Sequence, residues 1–343
     1  MKAPWANVVL LAILLLQTVT GYLGMLNNQS QRAWILWLHG IGAYLILLLL
    51  FWKGSIIWDA IRRKKVWTRQ RWLFLLTLGL LLLTLGLGLI WTLNGPNYLA
   101  HISLVSWHIY AAVPLMGLML WHSWQMRFVF RLRQSRDRRA LLRGGGLALA
   151  GLLTWQLASV GKRWEDLAGA SRRFTGSYER GALGERFPVV SWLFDRPDPL
   201  NAATWQLQID GAVKQTLRFA YADLLELPQT ELLATLDCTG GWYSTQIWRG
   251  VALAELLAMA GLQIGAESVT IRSVTGYQRR FSLAEMENAL LALYVADAPL
   301  TSGHGYPLRL VVPEKRGLEW VKWVSDIQVN TTSKIWQSPL PLQ

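Results

Sequence analysis

The sequence predicts an N-terminal all-α membrane helical bundle, four spans plus a fifth signal-anchor-like span, followed by a soluble α+β domain. Three observations carry this. Apolar runs of about 20 residues, the length needed to cross a bilayer, recur through the first half. The positive charge is confined to that half. From about residue 204 the pattern turns to short alternating segments bounded by Gly and Pro. The 343 residues are 52% hydrophobic and only 16% charged, with a net charge of +13. Residues 1–159 hold 16 lysines and arginines against Asp59 and Asp137, a net +14, which leaves −1 for the remainder. A surplus sitting between apolar runs is the pattern of cytoplasmic loops, and it excludes a nucleic-acid-binding face.

The first four spans are expected at about 7–26, 33–52, 72–93 and 104–124, and a weaker fifth at 144–160. The connection Lys53–Arg71 carries seven cations, and the connection Arg127–Arg143 carries Arg127, Arg131, Arg133, Arg136, Arg138, Arg139 and Arg143. The alternate connections, Asn27–Arg32 and Asn94–Ser103, carry only Arg32. The positive-inside rule then places the N-terminus in the cytoplasm and everything after about residue 160 outside. Trp34, Trp37, Trp72 and Trp91 stand near span ends, as interfacial anchors do. Residues 138–143, Arg-Arg-Ala-Leu-Leu-Arg, precede Gly-Gly-Gly and an apolar run. They read either as a twin-arginine export signal or as a basic stop ahead of a span.

Four of the five histidines lie in this half. His39 on span 2 and His108 on span 4 fall at similar depth near the outer face. Two imidazoles facing across a helical bundle can ligate a b-type haem. Gly21, Gly24, Gly40, Gly42, Gly86 and Gly88 leave room for a flat macrocycle or serve as helix contacts. His122, 14 residues after His108, falls on nearly the same face about 21 Å further along. Its counterpart on span 2 is Lys53, so one haem is expected, with His122 at a second haem or a quinone site. His101 reads as loop surface.

In the second half, Trp205–Ile209, Leu232–Leu236, Val269–Ser273, Leu308–Val312 and Trp320–Val329 read as strands. Tyr221–Leu227, Leu253–Leu262 and Leu283–Leu293 read as helices. The only cysteine, Cys238, lies in Leu236-Asp237-Cys238-Thr239-Gly240-Gly241-Trp242. A lone Cys is most often an apolar filler, but a thiolate on a Gly-rich loop is also a soft metal ligand. One Cys excludes an intramolecular disulfide framework and a Cys-pair zinc site. The expected organisation is a haem b bundle over 1–126, a basic cytoplasmic loop and fifth span over 127–160, a linker and irregular segment over 161–203, and a soluble α+β domain over 204–343.

Four segments in order resemble the sulfite-oxidase-type molybdopterin family. They are Leu236–Trp242, Trp248-Arg249-Gly250-Val251-Ala252-Leu253, Gly303-His304-Gly305-Tyr306-Pro307-Leu308-Arg309-Leu310-Val311-Val312-Pro313, and Gly317 to Val321-Lys322-Trp323. The upstream run Arg173-Phe174-Thr175-Gly176-Ser177 is similar to the start of related domains. The resemblance covers roughly residues 200–330. It implies a mixed fold around molybdenum-molybdopterin, with Cys238 as the metal thiolate. It also implies cofactor contacts from Thr175, Ser273, His304, Arg309, Trp320, Val321 and Lys322. Sulfite-oxidising members hold an anionic substrate with several arginines, for which Arg249, Arg279 and Arg280 are the candidates here. The separate dimerisation domain of animal and plant sulfite oxidases is missing from the pattern, which is closer to bacterial stand-alone versions.

Joined to the bundle, the resemblance implies a molybdopterin oxidoreductase of the bacterial inner membrane, with its C-terminal domain in the periplasm. Its partners would be quinone or quinol, a small oxo-accepting or oxo-donating substrate, and a soluble electron carrier. The reaction would be of the sulfoxide-reductase or sulfite-dehydrogenase type. The alternative is a non-catalytic membrane haem protein, or a ligand-binding membrane protein with a degenerate outer domain.

Overall fold

The computed structural model describes residues 4–62, 68–125, 138–191, 195 and 197–337, in two compact units, Met1–Tyr178 and Glu179–Gln343. The basic stretches 63–67 and 126–137, with Arg63, Lys64, Lys65, Arg127, Arg131, Arg133 and Arg136, fall outside the described residues.

The first unit is built from α1 (Pro4–Leu26), α2 (Trp34–Trp52), α3 (Gly54–Arg62), α4 (Arg69–Asn94), α5 (Leu104–Gln125) and α6 (Arg138–Trp164). A two-residue hairpin, β1 (Tyr98–Leu99) with β2 (Ile102–Ser103), joins α4 to α5. Four helices, α1, α2, α4 and α5, are long and apolar enough to cross a membrane. They carry apolar residues all round, so they bury one stripe and leave another outside. Ile13, Leu14, Ile46, Leu49, Leu81, Leu85 and Leu115 form the inner cluster, while Leu16, Val19, Leu83 and Val113 point outward. The helix α6 coincides with the expected fifth span, but it is not among those four. Trp34, Trp37 and Trp72 are exposed as expected. Trp91 is not: it is 2% exposed, its Nε1 donates to the Gly176 carbonyl at 3.0 Å, and its own carbonyl accepts from the Tyr178 hydroxyl at 2.6 Å. Rather than an interfacial anchor, it ties the segment after α6 to the end of α4.

Tyr178–Glu179, a two-residue strand β3, marks the junction of the units. The second unit is two sheets around one core. In the first sheet β7 (Trp242–Ala252) lies between β6 (Thr230–Cys238) and β10 (Leu290–Val295), and β10 also pairs with β11 (Ala298–Pro299) and β12 (Arg309–Val311). The second sheet runs β5 (Leu217–Ala220), β4 (Gln206–Gly211), β13 (Val324–Asn330), β8 (Ser268–Ser273), β9 (Gln278–Ser282), with only β13 and β4 parallel. Helices α7 (Tyr221–Glu226) and α8 (Leu253–Ala260) follow β5 and β7. Gly250 lies where any Cβ would come within 2.0 Å of the Leu291 carbonyl, so the Arg-Gly-Val motif is what lets β10 pack on β7.

Three expectations are corrected. Leu283–Leu293 is not a helix: a 3₁₀ turn over Leu283–Met286 leads into β10. Its continuous apolar run is buried on both sides, which periodicity cannot separate from a buried helix. The final strand begins at Val324, not Trp320, because Gly317–Glu319 forms a 3₁₀ turn first. Residues 179–191 are irregular beyond β3, as expected, but they join the second unit rather than run free of it. Arg180 N and Leu183 N donate to the carbonyls of Tyr243 and Thr245, and Phe187 enters the core of the second unit.

Candidate functional site

Strands β6 and β7 form a hairpin whose tip is Thr239-Gly240-Gly241, with Cys238 opposite Trp242. Gly241 takes a left-handed φ of +88°, as a three-residue hairpin turn requires, and its N–H closes on the Cys238 carbonyl at 3.0 Å. The Gly240 N–H points to Cys238 Sγ at 3.3 Å, and a Cβ on Gly240 would sit 3.4 Å from the sulfur. The thiol is half-buried. Burial pushes its pKa up, against the Gly240 N–H and Arg316, which pull it down.

Beneath the hairpin, Arg316 Nη1 lies 2.8 Å from Asp237 Oδ1, an ion contact with side-chain exposures of 3% and 0%. Arg316 Nη2 also donates to the Cys238 carbonyl at 3.1 Å. Neither residue stands out by motif. The available signal was Asp237 itself, a fully buried acid directly before the cysteine.

The loop before β12 brings a second group together. Arg309 is 3% exposed, lies between the rings of Trp248 and Trp320 at 5.4 and 5.8 Å, and is within electrostatic reach of Cys238. Its Nη1 donates to the His304 carbonyl at 2.9 Å, while its Nε has no protein partner. Burial pushes its pKa down to about 10. No carboxylate contacts it among the described residues. His304 Nδ1 meets Thr301 Oγ1 at 2.9 Å, and Phe187 packs on its ring at 4.2 Å between centroids. Burial, then Arg309 and Lys322, pushes His304 down to about 4, so the imidazole is neutral. Lys322 Nζ donates to the carbonyls of Gly303 at 2.6 Å and Val190 at 2.9 Å, and to Ser191 Oγ at 3.3 Å. Two of these partners, Ser191 and Gly303, line a cavity of about 290 Å³ together with Val189, Pro197, Ser302 and Trp323. Trp323 sits at a left-handed φ of +52°, a strained position next to Lys322.

The remaining expected contacts divide. Trp320 is buried with an unpartnered Nε1, and the Val321 carbonyl already accepts from Leu310 N at 2.8 Å. Ser273 Oγ is engaged in its own turn with Thr275 Oγ1 at 3.0 Å. Thr175 is buried in the first unit. Of the candidate substrate arginines, Arg249 covers the Tyr294 ring at 4.1 Å, and Arg280 is bound to Ser268 and Thr332. Arg279 is 4% exposed, with Nε and Nη1 unpartnered.

The donor set fits a molybdopterin. A soft sulfur stands on a glycine hairpin, and beside it are a buried guanidinium lacking an anion and indole N–H groups of Trp242 and Trp320 lacking acceptors. Buried polar groups left in this way are expected to meet a ligand. Comparison with known proteins agrees. The oxidoreductase molybdopterin binding domain model matches residues 194–336. The chain is 30% identical over 145 residues to the Uncharacterized oxidoreductase YuiH of Bacillus subtilis, covering 41% of this chain and 73% of that protein. This chain belongs to the molybdopterin-binding oxidoreductases. It is therefore an enzyme domain that takes a molybdopterin cofactor. Inducible nitrate reductase (NADH) 1 of Glycine max is similar at 25% over 228 residues, 53% of this chain and 26% of that enzyme. Nitrate reductase (NADH) 1 of Arabidopsis thaliana is similar at 27% over 219 residues, 50% of this chain and 24% of that enzyme. The chain thus spans about a quarter of these plant relatives. Among solved structures, the sulfane dehydrogenase SoxCD from Paracoccus pantotrophus matches with TM-score 0.38 and 28% identity, over 39% of this chain and 40% of that one.

The first unit has its own constellation. The His39 and His108 rings lie with centroids 6.0 Å apart and planes at 77°, a T-shaped arrangement. His108 Nδ1 donates to the Thr84 carbonyl at 2.8 Å. His39 Nδ1 meets Thr20 Oγ1 at 3.1 Å, and that hydroxyl spends its proton on the Leu16 carbonyl at 2.7 Å, so His39 Nδ1 is the donor. Both Nε2 atoms keep their lone pairs. A Cβ on Gly21 would meet His39 at 3.1 Å, and one on Gly88 would meet His108 at 3.0 Å. Gly24, Gly40 and Gly42 instead accept Leu36, Trp155 and Gln17, and Gly86 faces open space. His122 lies exposed near the end of α5, and His101 is exposed in the β1–β2 turn.

Proposed function

We propose that this chain is a membrane-anchored molybdenum-pterin oxidoreductase, with its second unit in the periplasm, that exchanges electrons with the quinone pool through one b-type haem. The reaction is oxygen-atom transfer of the sulfoxide-reductase or sulfite-dehydrogenase type. The four apolar helices, their outward apolar residues and the cation-rich connections support the membrane assignment.

The observation that carries the haem is the His39–His108 pair. Two imidazoles binding one iron from opposite sides, with metal–nitrogen bonds of about 2 Å, place their ring centroids roughly 6 Å apart. The observed separation is 6.0 Å. Among the described residues no third His, Cys, Asp or Glu joins them. A metal there must therefore bring its remaining ligands with it, as a porphyrin does. The Nδ1 hydrogen bonds to Thr20 and Thr84 orient both rings, the usual work of groups behind a ligating histidine.

In the second unit Cys238 supplies the thiolate for molybdenum. Arg309 and Lys322 neutralise the anionic cofactor, and His304 donates or accepts as a neutral ring. The Trp320 and Trp242 indoles provide N–H donors. Ser273 shapes its turn. When bound, the pterin metal centre supplies oxygen-atom exchange coupled to a two-electron change, and the haem supplies one-electron carriage. The chain itself holds the sulfur in place through the Gly240 N–H and the Arg316–Asp237 pair.

The test is metal analysis and visible spectroscopy on the purified full chain, with Cys238→Ala, His39→Ala and His108→Ala. About one molybdenum and one bis-His haem per wild-type chain are expected. Cys238→Ala should abolish turnover with the haem spectrum intact, and either histidine variant should bleach the haem. A colourless, molybdenum-free wild-type chain from cells that make both cofactors would end the proposal.

A further inference from the structure

The segment after α6 places one cation, Arg172, within electrostatic reach of His39 in the imidazole pair, and the haem proposed above does not use it. Arg172 Nη1 donates to Thr92 Oγ1 at 2.9 Å. Thr92 stands four residues beyond Gly88, the residue that backs His108, so the guanidinium lies one helical turn, about 6 Å, further toward the end of α4. Arg172 is also within electrostatic reach of His39, Tyr44 and Tyr178, and Lys162 is within reach of Arg172. No carboxylate forms an ion pair with Arg172 among the described residues, and α1, α2, α4 and α5 contain no Asp or Glu at all. Burial opposes its charge, with only the two phenols in its favour. A buried guanidinium with no ion-paired carboxylate among the described residues is short of a counter-charge. A porphyrin of the b type carries two carboxylates on one edge, and a macrocycle spanning His39 and His108 can turn that edge toward Arg172.

We infer that Arg172 is the carboxylate clamp for the propionate edge of a porphyrin held between His39 and His108. This rests on the haem reading above. The clamp fixes which way round the macrocycle sits. It also stabilises ferric–ferrous reduction by placing positive charge near the iron, because charge and burial are levers on haem potential.

The experiment uses the full chain in detergent. Arg172→Gln should keep the bis-His spectrum and shift the ferrous–ferric equilibrium about tenfold toward ferric, which is 59 mV for a one-electron couple. Arg172→Lys should stay close to wild type. Haem-depleted protein is then reconstituted with haem b or with its dimethyl ester. Wild type should bind the ester at least tenfold more weakly than haem b, whereas Arg172→Gln should bind the two equally. A merely structural Arg172 would weaken both ligands alike and leave the wild-type preference in Arg172→Gln, which overturns the clamp. An unchanged potential with full ester discrimination also overturns it. If the wild-type chain binds no haem, the reading beneath it fails as well, and the two failures are thereby told apart.

Discussion

Asp237→Ala is the sharpest probe of how the cysteine is held. The substitution removes the 0%-exposed partner of a 3%-exposed guanidinium 2.8 Å away and leaves Arg316 charged inside the second unit. Removing one member of a buried ion pair costs about 3–5 kcal/mol, because the survivor remains desolvated. With a urea slope of about 2 kcal/mol/M for a unit of this size, the unfolding midpoint should fall by about 1.5–2.5 M. Pulse proteolysis of the second unit across a urea series reads this directly. Wild type and variant should both be made without the pterin, so that ligand binding does not contribute. The paired change Asp237→Leu with Arg316→Met should recover most of the loss, since apolar replacement of a buried pair is often neutral. A midpoint shift under about 0.3 M for Asp237→Ala would refute the claim that this contact secures the hairpin.

Gly88→Val should displace the His108 imidazole, because a single Cβ already approaches it at 3.0 Å; loss of the bis-His spectrum in an otherwise folded chain is the expected reading. Gly117→Val, on α5 with nothing within 4 Å, should leave the spectrum unchanged. Glu285 is raised by burial but lowered further by hydrogen bonds from Lys315, Lys334 and Ser282, to about 2. A depressed carboxylate contributes stability above its unfolded value near 4.3 and loses it as pH falls through its folded value. Glu285→Gln should therefore cost roughly 1–2 kcal/mol at pH 7, after discounting for its partly exposed partners, and progressively less between about pH 4 and pH 2, as followed by urea melts.

The molybdopterin domain and its candidate residues were legible because rare residue types mark them. A single cysteine between an acid and a Gly-Gly pair, and two histidines at matched depth in apolar helices, stand out against their surroundings. The supporting groups did not. Arg316 pairs with Asp237 across 79 positions of sequence, and only the fold brings the two together. Strand β7 was hidden because its inward positions include Ser244 and Gln246, buried polar residues satisfied by Gly181, Glu185 and each other. Strand β10 was read as helix because burial on both faces erases the period of two. Trp91 matched the pattern of an interfacial aromatic, but Gly176 and Tyr178 hydrogen-bond it inside the first unit. Composition picks out the candidate residue, whereas the groups that orient it are ordinary residues chosen by tertiary contact.

The cofactor-free second unit carries an internal cost that follows from the same geometry. Among the described residues, Arg309 keeps a charge at 3% exposure with no carboxylate contact, and its Nε and the indoles of Trp242 and Trp320 lack partners. Each such group costs about 1–3 kcal/mol while unsatisfied. A ligand that supplies an anion to Arg309 and acceptors to the indoles removes those penalties in the folded state alone. Pterin loading should therefore stabilise the second unit beyond simple occupancy of a cleft. Arg309→Met, which cannot use the anion, should narrow the gap between loaded and empty forms by raising the stability of the empty one. If Arg309→Met instead destabilises the empty unit by several kcal/mol, the guanidinium is a structural strut between Trp248 and Trp320, and the anion belongs elsewhere.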